Sequence, residues 1–193
     1  MKKRVVLLIP VIPLIFGMFA CDREGRDEYS ENNPDTLFFD DFEDLEASNS
    51  IWNLQGLAGI SDYDTSNNFL SVSSFTQRDM GNTSHGDGMA FSSISGFESD
   101  SLHFELSFQA FIDPDDGPAV LKLYQIKGDT ETELIHVYEN STSDWTDYKL
   151  YGKIFNLREE DTIRILIHNT IGFTVGTHQA RYDNILLRII NPR

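Results

Sequence analysis

The side chains able to do acid–base or nucleophilic chemistry are 31 carboxylates, five histidines and one cysteine. Hydrolysis of a glycosidic bond needs two carboxylates about 5 to 10 Å apart, but abundant acids meet that distance by chance. The histidines are His85, His103, His136, His168 and His178. None stands in a metal-binding spacing such as His-Glu-x-x-His, and no Gly-x-Ser-x-Gly segment offers a nucleophilic serine. The sequence therefore contains no recognisable catalytic set.

Aromatic side chains form 12% of the chain, and an exposed ring can stack on the flat apolar face of a sugar. The candidates for this role are Trp52, Tyr63, Phe75, Tyr124, Trp145 and Tyr151. In a strand that starts at Trp145, the residues on the same polar face are Asp147, Lys149, Tyr151 and Lys153. The rings of Trp145 and Tyr151 are then about 20 Å apart along the strand. This face is the best predicted surface for a sugar. An interior position is the alternative for Trp52 and for Trp145.

Charge and cysteine content exclude several classes of protein. The formal net charge is −16, which argues against nucleic acid as a partner because no basic groove for phosphates is visible. A single cysteine excludes a disulfide framework and a cysteine-rich metal site.

The first twenty residues predict a secretory signal peptide, residues 1–20. Lys2, Lys3 and Arg4 precede a stretch of 16 uncharged, mostly apolar residues that ends at Ala20. A membrane-spanning helix needs about 20 such residues, and two prolines interrupt this stretch. The segment therefore has the length and flanks of a signal peptide.

The end of this segment, Gly17-Met18-Phe19-Ala20-Cys21, resembles a bacterial lipobox. The resemblance implies that Cys21 becomes the lipidated N-terminus, carrying acyl chains such as palmitate. It also implies a protein anchored to the membrane of the bacterial cell envelope, which we expect to be the outer membrane. The alternative is an ordinary cysteine near a signal cleavage site. Two or three acyl chains would give a stable anchor, whereas one alone is marginal.

Residues 21–36 predict the lipidated cysteine followed by an acidic, flexible tether. From Asp22 to Thr36 there are six acidic residues and no aliphatic residue, so the segment cannot bury enough surface to order itself. Acidic residues just after a lipidated cysteine resemble a signal for export to the outer surface. A solvated spacer is the alternative interpretation.

Residues 37–193 have the pattern of β-strands. Apolar residues alternate with polar ones from Leu102 to Ile112, which is the period of a strand with one buried face. Further strands are predicted at 37–39, 120–126, 133–138, 145–155, 163–168 and 180–190. The Ser-, Asn- and Gly-rich region 61–88 predicts long loops around one strand. The sequence therefore predicts an all-β fold, an antiparallel β-sandwich of jelly-roll topology.

Two separated motifs resemble the galactose-binding-like jelly rolls, which include many carbohydrate-binding modules. They are Asp40-Asp41-Phe42-Glu43, followed by Trp52, and Tyr182-Asp183-Asn184-Ile185. That family often holds a structural calcium where the first and last strands meet. The resemblance implies Glu43 and Asp183 as ligands, with Asp41 adding a carbonyl, and oxygen ligands are those that calcium prefers. Solvated acids at strand ends are the alternative.

These observations predict a lipid-anchored, non-catalytic module that binds a polysaccharide or oligosaccharide. One alternative is a structural or adhesion lipoprotein that binds another protein of the envelope. A second is a glycan hydrolase whose site the motifs do not reveal. The fold itself does not decide among them, because jelly rolls support all three.

Overall fold

The structure is a computed structural model that describes residues 35–64, 67–79, 82–112, 119–139, 141–142, 144–169 and 176–190. The predicted signal peptide, Cys21 and nearly all of the tether lie outside the described residues. Within these ranges, no helix is both long and apolar enough to cross a membrane.

The described residues contain eleven strands and one short helix. The strands are β1 (Thr36–Asp40), β2 (Asn53–Gly56), β3 (Ala58–Asp64), β4 (Asn67–Asp79), β5 (Asn82–Ile94), β6 (Ser99–Ile112), β7 (Ala119–Lys127), β8 (Thr130–Glu139), β9 (Thr146–Leu157), β10 (Thr162–Asn169) and β11 (Gly176–Ile189). The helix is α1 (Leu45–Ile51), and the Asp44 side chain caps it by accepting hydrogen bonds from the first-turn N–H groups of Glu46 and Ala47.

The strands form the two halves of an antiparallel β-sandwich. One half has the order β9-β6-β11-β4-β3, with β1 also paired to β11, and the other has the order β8-β7-β10-β5-β2. Strand β5 belongs to both, because residues 82–87 pair with β4 and residues 89–94 pair with β10. The predicted all-β jelly-roll sandwich is confirmed.

The core lies between the two halves and follows the predicted alternation. On β6, the side chains of Phe104, Leu106 and Phe108 are buried and face inward, while the residues between them belong to the opposite face of the strand. Ile165 and Ile167 of β10 come from the opposite half and join the same cluster. Removing large apolar surface from water on both inner faces is what holds the halves together.

The prediction of long loops around one strand at 61–88 is wrong. This region contains the last residues of β3, the whole of β4 and the first half of β5. The reason is that small hydroxyl side chains occupy inward positions, where Ser74 and Thr76 are both buried. A strand that buries serine and threonine lacks the apolar alternation by which strands are recognised.

The first and last strands pair, as the resemblance implies. Phe38 lies opposite Leu187 and Asp40 opposite Ile185 in the β1–β11 pair. A β-bulge interrupts the pairing of β11 with β6 between Asp183 and Leu186, and Asn184 there has a positive φ of 51°. At this bulge the Asp183 carboxylate lies near enough to Asp40, the last residue of β1, for their charges to interact.

Candidate functional site

Strand β9 is the end strand of its half of the sandwich, and its inner face is fixed by the core. Tyr148 stacks on Phe108 with ring centroids 4.8 Å apart, and Ile154 is buried. Between them, Gly152 lies against the ring of Phe104, where a side chain of any size would clash. These contacts fix the direction of the alternate side chains of β9, which therefore point to solvent.

Most of the exposed aromatic residues with described side chains lie on the outward face of β9. Of the four exposed aromatic residues whose side chains are described, three lie here: Trp145 is 40%, Tyr151 62% and Phe155 58% exposed. Lys149 and Lys153 lie on the same face, between and beside the rings. We call Trp145, Lys149, Tyr151, Lys153 and Phe155 the β9 strip. The expected placement of Lys149 and Tyr151 on one outward face is observed.

The indole of Trp145 rests on an aromatic base. Its ring centroid lies 6.1 Å from Phe69 and 6.1 Å from Phe111. The guanidinium of Arg181 lies over both supporting rings, at 5.5 Å and 5.2 Å, in cation–π contact. Part of the Trp145 ring is therefore held by packing, while the rest is accessible to a ligand.

A buried carboxylate lies beneath the middle of the β9 strip. Glu105 of β6 pairs across from Tyr151, and its side chain is only 4% exposed. Its Oε1 lies 2.9 Å from the guanidinium of Arg188 and 3.6 Å from the ammonium of Lys149. Strand β9 itself carries one carboxylate, Asp147, which accepts a hydrogen bond from the Gln109 side chain at 2.8 Å.

An open groove of about 360 Å³ adjoins the far end of the β9 strip. Its lining includes Ser101 and His103, which pair with Phe155 and Lys153 respectively. The groove therefore extends the accessible surface of the strip across the start of β6.

The prediction that Trp52 binds a ligand is wrong, because its ring is only 4% exposed. The indole packs edge-on against Phe38 at 5.6 Å, and its N–H donates to Asp40 Oδ2 at 2.7 Å. Trp52 thus packs against the first strand and has no exposed face for a ligand. The side chain of Tyr63 lies outside the described residues, so its predicted role stays a prediction.

An acidic cluster forms where the first and last strands meet. Asp183 is 7% exposed, and its carboxylate accepts a hydrogen bond from the Asn184 N–H at 2.7 Å. Burial raises the pKa of Asp183 to about 7, and the negative charges of Asp41, Glu43 and Asp40 contribute to the rise. The pKa of Asp40 is also raised by burial, although hydrogen bonds from Ser48, Phe42 and Trp52 oppose that shift.

This cluster has the charge but not the assembled geometry of a calcium site. The predicted ligands Glu43, Asp41 and Asp183 lie near enough for their charges to interact, and a cation there would relieve the repulsion around Asp183. In the described part of the chain, however, no three His, Cys, Asp or Glu side chains converge to hold a metal ion. The calcium site therefore stays a prediction.

A second polar and aromatic surface lies on the other half of the sandwich, and of its residues the sequence singled out only Tyr124. Glu133 of β8 binds Lys122 at 3.1 Å, His136 at 3.2 Å and the Tyr124 hydroxyl at 3.4 Å. Tyr138, 55% exposed, is its one exposed ring among the described side chains. We call these five residues the β8 face. Its polar groups are largely bonded to one another.

No protein-family model matches the chain, and no curated protein matches it in sequence. The fold is similar to a tandem of two family 22 carbohydrate-binding modules from Paenibacillus barcinonensis, with a TM-score of 0.54, 15% identity and coverage of 81% of this chain and 51% of that one. The single xylan-binding family 22 module from the same organism has a TM-score of 0.49 and 15% identity, covering 82% of this chain and 97% of that one.

A family 11 carbohydrate-binding module of a cellulosomal cellulase from Clostridium thermocellum gives a TM-score of 0.48 and 15% identity, covering 80% of this chain and 94% of that one. At these identities the comparison shows the fold alone. The chain has the jelly-roll architecture of carbohydrate-binding modules.

Proposed function

We propose that this protein is a non-catalytic glycan-binding module, held in the bacterial cell envelope by lipidation of Cys21. The observation that supports the proposal most is the β9 strip. Three of the four exposed aromatic residues with described side chains lie along β9 and the residue just before it. Exposed rings in line suit a chain of sugars, because each ring can stack on the apolar face of one sugar unit.

The composition of the β9 strip favours a glycan over a protein partner. Its rings alternate with lysines, so they do not form the contiguous apolar patch that marks a protein interface. Lysine is also depleted in such interfaces. The adhesion alternative therefore has less support than sugar binding at this surface.

The carboxylates near the β9 strip favour binding without hydrolysis. Glu105 is buried and shared between Lys149 and Arg188, and Asp147 is bonded to Gln109. Hydrolysis needs one carboxylate to donate a proton and a second to act as base or nucleophile. Asp147 is exposed, but Glu105 is buried, so the two do not form an accessible pair.

The N-terminal segment supports a surface location. The lipobox-like sequence before Cys21 would supply the acyl anchor. The excess of acidic over basic residues, which grows when Lys2, Lys3 and Arg4 leave with the signal peptide, would keep the domain away from an anionic membrane. A lipid anchor followed by an acidic tether would hold the domain clear of the membrane, where polysaccharide is accessible to it.

A structural calcium is a further part of the proposal. Glu43, Asp183 and the Asp41 carbonyl would hold it, and the ion would neutralise the negative charge that surrounds Asp183. Its role would be to stabilise the pairing of the first and last strands. We expect no contact between this ion and the glycan.

Binding can be tested with full-length protein in mild detergent, titrated calorimetrically against a panel of plant and bacterial polysaccharides. Stacking on one or two rings predicts an affinity from about micromolar to millimolar. Tyr151→Ala should weaken binding strongly with little change in melting temperature, because the ring is 62% exposed. Tyr138→Ala, which removes the exposed ring of the β8 face, is the matched control and should bind normally.

Two results would contradict the proposal. If Tyr151→Ala binds like the natural protein while Tyr138→Ala does not, the glycan site lies on the β8 face. Release of reducing sugar from a bound polysaccharide would show that the protein is a hydrolase.

A further inference from the structure

We infer that the glycan bound by the β9 strip is anionic, a polysaccharide whose sugar units carry carboxylates. This inference rests on the proposed function and names the class of glycan. It depends on Lys149 and Lys153, the two cations that flank Tyr151, the most exposed ring. It also depends on how far neighbouring carboxylates neutralise these two lysines.

Lys149 lies on one side of Tyr151 and is only partly balanced. Its ammonium is 3.6 Å from the buried carboxylate of Glu105, but Arg188 is closer to the same oxygen, at 2.9 Å. The Lys149 side chain is 49% exposed. Because Glu105 is shared between two cations and lies below the surface, part of the positive charge of Lys149 is presented to solvent.

Lys153 lies on the other side of Tyr151 and has no acidic partner in the described ranges. Its ammonium lies 4.6 Å from the centroid of the Phe155 ring, a cation–π contact. A ring attracts the cation but carries no net charge, so the full positive charge remains available to a ligand.

The spacing places both cations within reach of a sugar stacked on Tyr151. Residues two apart on a strand share a face and lie about 7 Å apart along it, so one lysine stands on each side of the ring. The Tyr151 hydroxyl forms no hydrogen bond to the other described residues, which leaves it free to bind a sugar hydroxyl. A carboxylate on the stacked sugar, or on its neighbour, would meet Lys149 or Lys153.

The local charge is opposite in sign to that of the whole protein. The net charge is −16, yet the outward face of β9 presents two lysines and one exposed carboxylate, Asp147. At physiological salt, charges more than about 8 Å away are largely screened, so nearby lysines outweigh the distant acids. A neutral glycan would need hydrogen-bonding groups at these positions but no excess of cations.

The test compares polygalacturonate and alginate with fully methyl-esterified polygalacturonate, which has the same backbone without the charge. Poly-L-glutamate supplies charge without sugar rings. We expect full-length protein to bind the charged glycans about tenfold more tightly than the ester, with affinity falling as salt is raised. Lys149→Gln with Lys153→Gln should weaken binding about tenfold, near the upper range for two exposed ion pairs. Lys122→Gln on the β8 face is the control and should have no effect.

The outcomes separate this inference from the proposed function. If the ester binds as tightly as the acid, or only neutral glycans bind, and Tyr151→Ala still abolishes binding, the protein binds glycans but the anionic class is wrong. Equal binding of poly-L-glutamate would also overturn the inference, because charge alone would then explain recognition. Failure of every glycan to bind would overturn the proposed function as well.

Discussion

Replacing Asp183 by Asn should stabilise the folded domain at neutral and alkaline pH when calcium is absent. Asp183 is 7% exposed, and burial together with three neighbouring carboxylates raises its pKa from 3.8 to about 7. The rise in pKa means that the ionised carboxylate destabilises the folded state by at most about 4 kcal/mol, since each tenfold change in a proton-binding constant is worth about 1.4 kcal/mol. Asn has the shape of the neutral acid and can still accept the hydrogen bond from the Asn184 N–H.

The direction of the pH dependence follows from the raised pKa. Proton binding by Asp183 contributes fully to stability below its unfolded pKa of 3.8, and this contribution is lost as the pH rises to about 7. Urea denaturation in the presence of chelator, from about pH 4 to pH 8, should therefore show a growing advantage of Asp183→Asn over the natural protein. A constant difference across this range, or a variant that is less stable at pH 8, would refute the assigned environment of Asp183.

Calcium provides the second arm of the same experiment. If the ion binds the acidic cluster, it should restore stability to the natural protein at pH 8, by about 2.7 kcal/mol at a hundredfold excess over its dissociation constant. Asp183→Asn should gain much less. Equal calcium responses of the two proteins, or none in either, would remove the proposed site.

Three further changes test separate parts of the account. Gly152→Ala should destabilise the domain by about 1 to 3 kcal/mol in urea unfolding because the added methyl would clash with the Phe104 ring, whereas Gly59→Ala, with open space at its Cβ, should not. Trp52→Phe should lower the free energy of unfolding by about 1 to 3 kcal/mol, because it removes the donor to the buried carboxylate of Asp40. An unchanged denaturation midpoint would show that this hydrogen bond does not stabilise the fold. Cys21→Ser should move the protein from the membrane fraction to the soluble fraction; retention in the membrane would contradict lipidation.

The strands that could be predicted from sequence are those with strict apolar alternation. Strand β6 buries Phe104, Leu106 and Phe108 on one face, and the polar residues between them lie on the other. In β4, by contrast, Ser74 and Thr76 are buried at inward positions. Their hydroxyls fit the interior only because neighbouring strands surround them, which is information that local sequence does not contain.

The part of the candidate site that could be predicted from sequence is the part that follows from strand alternation. Alternation alone placed Tyr151 and Lys149 on the outward face of β9, because residues two apart on a strand share a face. The support of Trp145 by Phe69, Phe111 and Arg181 could not be predicted, since these residues come from three other strands. The burial of Trp52 could not be predicted either, since its partners Phe38 and Asp40 come before helix α1 in the sequence and meet it only in the fold.

Hydroxyl-radical footprinting of the full-length protein, with and without a saturating glycan, tests the central claim most directly. The method measures the solvent accessibility of individual aromatic side chains, and the exposed rings of the two candidate surfaces are Trp145, Tyr151, Phe155 and Tyr138. Glycan binding along the β9 strip predicts that the first three become protected while oxidation of Tyr138 is unchanged. Protection of Tyr138 with unchanged oxidation of the β9 strip would contradict the account.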